Sequence, residues 1–77
     1  MAQGPPSNDE EFHPLTAREW EIAQQIADGF DNTEIAERFL LSRATVATHV
    51  AKILKKLRHR SRVQIAVWVT ERRLRNQ

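Results

Sequence analysis

The sequence predicts an all-α fold, a bundle of four helices containing a helix-turn-helix, and three observations carry it. Helix-start signals recur four times along the 77 residues. Between them apolar residues return every three or four positions, the spacing of one helix face. No segment shows the strict apolar/polar alternation of a half-buried strand.

The first start is "LTAREW": Thr16 is the N-cap and Glu19 its partner three residues on, flanked by Leu15 and Trp20 as a hydrophobic staple. A helix over 17–28 follows, with Trp20, Ile22, Ala23, Ile26 and Ala27 on its apolar side, and it stops at Gly29. "FDNTEI" repeats the device with Asp31, Glu34, Phe30 and Ile35, opening a short helix over 32–39 that turns Ile35, Ala36 and Phe39 inward. Ser42 caps a third helix over 43–58, stapled by Leu41 and Val46, with Thr45 in place of the acidic partner. Ser61 and Gln64 open the fourth, over 62–74, in which Val63, Ala66 and Val67 read as core. Each cap satisfies backbone N–H groups that the helix leaves without partners, and losing one costs about 1 kcal/mol. Residues 1–13, "MAQGPPSNDEEFH", carry Gly-Pro-Pro and an acidic run without periodicity. They read as a disordered leader or linker before a domain over 14–77.

Composition narrows the function. With no cysteine there is no disulfide and no Cys/His zinc site, and His13, His49 and His59 are not spaced as metal ligands. No hydroxyl–histidine–carboxylate set occurs, and Gly29 stands alone rather than in a phosphate-cradling loop. An enzyme is not expected, nor a cofactor, nor a membrane span; a cytoplasmic domain is. The net charge of +2 hides a split. Residues 1–34 carry −7 and residues 35–77 carry +9, a basic half that suits an anionic partner.

The third helix says more. On a wheel, Val46, Val50, Ile53 and Leu57 fall within about 40° of one direction. Ala44, Thr48, Ala51 and Lys55 gather at the opposite pole, with Ala47 and Lys52 beside them. A helix with so low an outer face can approach a surface closely, and the DNA major groove admits one helix. Thr48 can meet a base edge, the helix start at Ser42–Thr45 can meet a phosphate, and Lys52, Lys55 and Lys56 can neutralise others. The same alanines also suit a solvated helix of high propensity, or a groove for a protein partner, and periodicity does not separate the three.

Taken together, "LTxRE", "G-x-x-N-x-EIA", "S-x-x-TV-x-x-HV", "I-x-x-KL" and "RSRVQ-x-A" occur here in order across residues 15 to about 70. This combination resembles the LuxR-type helix-turn-helix domain, the DNA-binding module of quorum-sensing regulators and of NarL/FixJ-type (GerE-like) response regulators. The resemblance implies a third helix that reads the major groove of double-stranded DNA and a fourth that mediates dimerisation. Val46 and Val50 match core positions of the pattern, Thr45 and His49 the backbone-contacting edge, and Lys56 a lysine expected near a phosphate. Alanine at 47, threonine at 33 and alanine at 51 depart from members that carry basic or polar residues there. The departures imply a different preferred site, weaker binding by the isolated domain, or more reliance on Thr48 and Lys52.

The expected DNA-binding set is therefore Ser42, Arg43, Thr45, Ala47, Thr48, His49, Ala51, Lys52, Lys55, Lys56 and Arg60, with Arg58 and Arg62 beside the backbone. Gln64, Ile65 and Trp68 form the expected dimer interface, Trp68 as an exposed aromatic off the core stripe, whereas Trp20 belongs to the core. The expected partners are an inverted-repeat duplex, a second copy of the chain on that DNA, and RNA polymerase. Two rival readings remain: a monomeric promoter-element binder like sigma region 4, which shares the "LTxRE" opening, and a protein-interaction module that has lost DNA binding.

Overall fold

A computed structural model describes residues 13–76, which form α1 (Ala17–Ala27), α2 (Asn32–Phe39), α3 (Arg43–Leu57) and α4 (Arg62–Arg75). Among the described residues there are no strands. The predicted leader falls almost wholly outside them. Its last residue, His13, is folded against the domain, its ring stacked on Trp20 at 5.0 Å and edge-on to Trp68 at 5.7 Å.

The helix starts are built as the capping pattern requires. Thr16 Oγ1 accepts from the Glu19 N–H at 3.1 Å, and Glu19 Oε1 accepts in return from the Thr16 N–H at 3.0 Å. Asp31 and Glu34 do the same for α2, at 2.9 and 2.8 Å. Ser42 Oγ accepts from the Thr45 N–H at 3.0 Å at the head of α3. At α4 it is Gln64 that holds the start, its Oε1 accepting from the backbone N–H of Arg60 at 2.6 Å and of Ser61 at 3.1 Å.

The first three helices end alike. After α1, Gly29 takes φ 93° and its N–H donates to the Ile26 carbonyl, while the Phe30 N–H donates to that of Gln25. This paired arrangement closes the last turn. Leu40 (φ 56°) and Arg58 (φ 58°) make the same reversal after α2 and α3, with Leu41→Ala36 and His59→Leu54 as the outer bonds. Neither position was marked by the glycine that favours it.

The core gathers Leu15, Ile22, Ala23, Ile26, Ile35, Ala36, Val46, Val50, Ile53, Ile65 and Val69. α1 packs on α4 and α3, and α2 lies against α3. The α4 stripe is therefore not the expected one. Ile65 and Val69 are completely buried and Arg72 nearly so, whereas Val63 is 67% exposed and Val67 51%. α4 carries two apolar stripes, 65/68/69 (continued by Arg72) and 63/66/67/74, and the larger side chains of the first fill the space against α1. Trp68 follows its stripe inward. It is half-buried and meets Trp20 edge-to-face at 5.8 Å, while the Arg72 guanidinium lies 4.9 Å above its ring. A desolvated cation over an aromatic face gains up to about 2 kcal/mol, which offsets part of the burial of that charge. Farther along α4, Arg73 reaches back to Asp28 at 2.9 Å, closing the end of α1 onto the bundle.

Candidate nucleic-acid interface

α2, the turn at Leu40–Leu41 and α3 form a helix-turn-helix, and the core fixes which way α3 faces. Burial of Val46, Val50 and Ile53 against the other helices turns Ala44, Ala47, Thr48, Ala51, Lys52 and Lys55 to the surface together. Arg43, also exposed, stands at the helix start beside Ser42 and Thr45. The outer face is thus low along its middle, cationic toward its C-terminal end, and open at an N-terminus whose dipole favours an anion.

The hydroxyls on this face are already oriented by the helix. Thr48 Oγ1 donates to the Ala44 carbonyl at 3.1 Å, and Ser42 Oγ donates to Thr45 Oγ1 at 2.9 Å. His49 is half-buried at the edge of the face, and its Nδ1 is buried without a hydrogen-bond partner. It belongs to the boundary rather than to the open surface.

Three of the basic residues do other work. Lys56 Nζ lies 2.7 Å from Glu19 Oε1, and Glu19 is only 3% exposed. Burial pushes the Glu19 carboxyl up, but the Lys56 ammonium, the Thr16 N–H and the Thr16 hydroxyl together outweigh it, so the group sits below its ordinary value of 4.5. The Lys56 charge, expected at a phosphate, is thereby matched inside the protein. Arg62 is half-buried and spans to α2, donating to Asn32 Oδ1 at 2.8 Å and to the Phe30 carbonyl at 3.0 Å. Its guanidinium ties the α1–α2 loop to the start of α4. Arg72 is held over Trp68, as above. Arg58 and Arg60 are exposed beside the start of α4.

The expected dimer set is dispersed. Ile65 is fully buried, so it can touch no second chain, and Trp68 packs on Trp20. Gln64 is exposed but is committed to capping. The surface that α4 does offer is the other stripe, Val63, Val67 and Leu74, the last 62% exposed. A shallow recess of about 220 Å³ between Phe30, Asp31, Arg62 and Val63 adjoins it. Sequence reading missed these residues as a surface, although two apolar stripes on one helix were visible.

Among the described residues no group of acidic or histidine side chains could hold a metal ion, and no helix is long and apolar enough to cross a membrane. The arrangement of α2, the turn and α3 defines a helix-turn-helix domain. Residues 13–69 match the family described as bacterial regulatory proteins, luxR family, and the chain belongs to it. It is 40% identical over 68 residues to the nitrate/nitrite response regulator protein NarL of Escherichia coli (strain K12), covering 88% of this chain and 32% of that protein. The uncharacterized transcriptional regulatory protein YxjL of Bacillus subtilis (strain 168) is 43% identical over 60 residues, which are 78% of this chain and 28% of YxjL. The uncharacterized response regulatory protein YgeK of E. coli (strain K12) is 53% identical over 51 residues, 66% of this chain and 35% of YgeK. The chain spans about a third of the length of these curated relatives. Membership of that family supports DNA binding in transcription regulation for this domain.

Proposed function

We propose that this domain is the output module of a response regulator and binds an inverted-repeat duplex as a dimer, with α3 in the major groove. The observation that carries the reading is the exposed face of α3, where three alanines and a threonine let the backbone approach base edges while Lys52 and Lys55 lie within reach of phosphates. Ser42, Arg43 and Thr45 at the helix start meet one backbone strand, Arg58 and Arg60 the other, and Ala47, Thr48, Ala51 and Lys52 face the bases. His49 lines the edge. Lys56 acts indirectly, by locking the end of α3 to α1.

Dimerisation uses the exposed stripe of α4, Val63, Val67 and Leu74, in place of Ile65 and Trp68. Such a two-fold contact sets two copies of α3 about one helical turn of DNA apart. The role as an output module is supported by the relatives, which are named response regulators and of which this chain matches about a third.

Selection from a randomised duplex pool at moderate salt tests the whole proposal. Enrichment of an inverted repeat with half-sites about 10 base pairs apart is the expected result. A single unrepeated element would instead favour a monomeric promoter binder. No retention at low salt would sink the reading and leave the low face of α3 to a protein partner.

A further inference from the structure

Two exposed threonines on α3 have hydroxyls of opposite polarity, and the difference bears on which base the domain chooses. A hydroxyl carries one hydrogen and two acceptor lone pairs. Thr48 spends its hydrogen on the Ala44 carbonyl, at 3.1 Å. What remains for an outside partner is acceptor only. Thr45 is the reverse: its oxygen accepts from Ser42 Oγ at 2.9 Å, so its own hydrogen is still to be given. Thr45 sits in the first turn, where the partner to be met is a phosphate oxygen, which only accepts. Thr48 lies one turn on, in the middle of the low face, where the partners are base edges.

Base edges in the major groove are unequal toward an acceptor. Only adenine (through N6) and cytosine (through N4) present hydrogen-bond donors, whereas guanine and thymine present oxygens. An oxygen facing Thr48 Oγ1 would leave two acceptors opposed, or require the hydroxyl to abandon Ala44. The neighbours of Thr48 then separate the two permitted bases. Ala47 and Ala51 are exposed methyl groups beside it, and apolar side chains favour the 5-methyl group of thymine. An A·T pair offers the amino group and, on the other strand, the methyl; a C·G pair offers only the first.

Resting on the proposed placement of α3 in the major groove, we infer that Thr48 is a specificity-determining residue that accepts a hydrogen bond from the N6 amino group of an adenine. The paired thymine's methyl packs against Ala47 and Ala51. Thr45, one turn earlier, donates to a phosphate and carries no base preference.

The test compares selections by the wild type, Thr48→Val, Thr48→Ser and Thr45→Val, each first checked by thermal melting for an intact fold. The wild type and Thr48→Ser should enrich adenine at one position in each half-site, and Thr48→Val should weaken that preference at that position alone, down to the part that the thymine methyl supplies. Thr45→Val should weaken every sequence by a similar factor and shift no preference. Replacing the adenine by nebularine, a purine without the amino group, should weaken wild-type binding about fivefold and leave Thr48→Val unmoved. Replacing the paired thymine by uracil should weaken both proteins. Guanine or thymine at the position that Thr48→Val alters, or an equal response of both proteins to nebularine, would overturn the inference. Those outcomes leave a bound duplex and therefore leave the placement of α3 standing. Failure of the wild type to retain any duplex overturns both.

Discussion

α3 and α4 are both amphipathic helices with one face in the same core, yet their outer faces differ in kind. α3 shows alanines, a threonine and lysines; α4 shows Val63, Val67 and Leu74. Small side chains with cations suit a polyanion, because they allow close approach and exchange counterions for fixed charge. Exposed branched aliphatics gain nothing from DNA phosphates and are stabilised only by excluding water against another apolar surface. On the proposed reading, the chemistry of the face a helix leaves uncovered separates a nucleic-acid surface from a protein surface within a single small domain.

The sharpest way to break this comparison is to exchange the assignments of the two α4 stripes. Ile65→Ala should remove about 3 kcal/mol of stability and lower the melting temperature by more than about 10 °C, since it opens a cavity in a fully buried site. Val63→Ala should cost less than about 0.5 kcal/mol. Comparable losses from the two would return α4 to the orientation read from its sequence.

Next in size is the far end of α3. Lys56→Met keeps most of the apolar stem but strands the buried Glu19 carboxylate, at a cost of about 2 kcal/mol at pH 7. The folded-state pKa of Glu19 is depressed, so its contribution is complete above about pH 4.5 and declines as the pH falls through the lower folded value. Melts from pH 7 to pH 3 should show the gap between wild type and Lys56→Met narrowing below pH 4.5. A gap that stays constant would mean the pair is not the source of the stability.

The outer stripe of α4 is tested through association rather than folding. Val67→Glu should leave the melt of dilute protein within about 0.5 kcal/mol of wild type. Sedimentation on an inverted-repeat duplex should then show one copy bound where the wild type places two. Two copies bound with unchanged affinity would remove α4 from the interface.

The smallest effect expected is at the turn of the helix-turn-helix. Leu40 is 90% exposed and holds a left-handed conformation that glycine adopts without steric cost. Leu40→Gly should raise stability by about 0.5 kcal/mol, the relieved strain exceeding the added freedom of the unfolded chain. Chemical denaturation can resolve that difference, and a destabilised variant would show that the leucine side chain is held by something other than its backbone.

What was legible in the sequence was what depends on near neighbours. Helix starts came through because Thr16, Asp31 and Ser42 act on N–H groups three residues away. The outward face of α3 came through because its other face is a strong single stripe. α4 misled because Ile65/Trp68/Val69 and Val63/Ala66/Val67 have the same spacing, and only the shape of α1 chooses between them. Trp68 reads from the sequence as an exposed aromatic, because the partner that covers it, Trp20, lies 48 positions away. The reversals at Leu40 and Arg58 carry no glycine to announce them. Nor does an arginine's spelling reveal that Arg62 will be spent on Asn32 and Phe30, or that Arg72 will lie over Trp68.

One carboxylate blurs that boundary between near and far. Glu19 Oε1 accepts both the Thr16 N–H that belongs to its own helix start and the ammonium of Lys56, 37 residues on. A peptide of residues 13–29 would possess every letter of the capping motif but not the helices that bury its Glu19, nor the Lys56 ammonium that offsets that burial. The first helix should therefore gain its full order only when the third arrives, as parts of one cooperative event. Substitutions at Thr16 and at Lys56 should then fail to add. A four-letter local signal, in this domain, is half of a long-range contact.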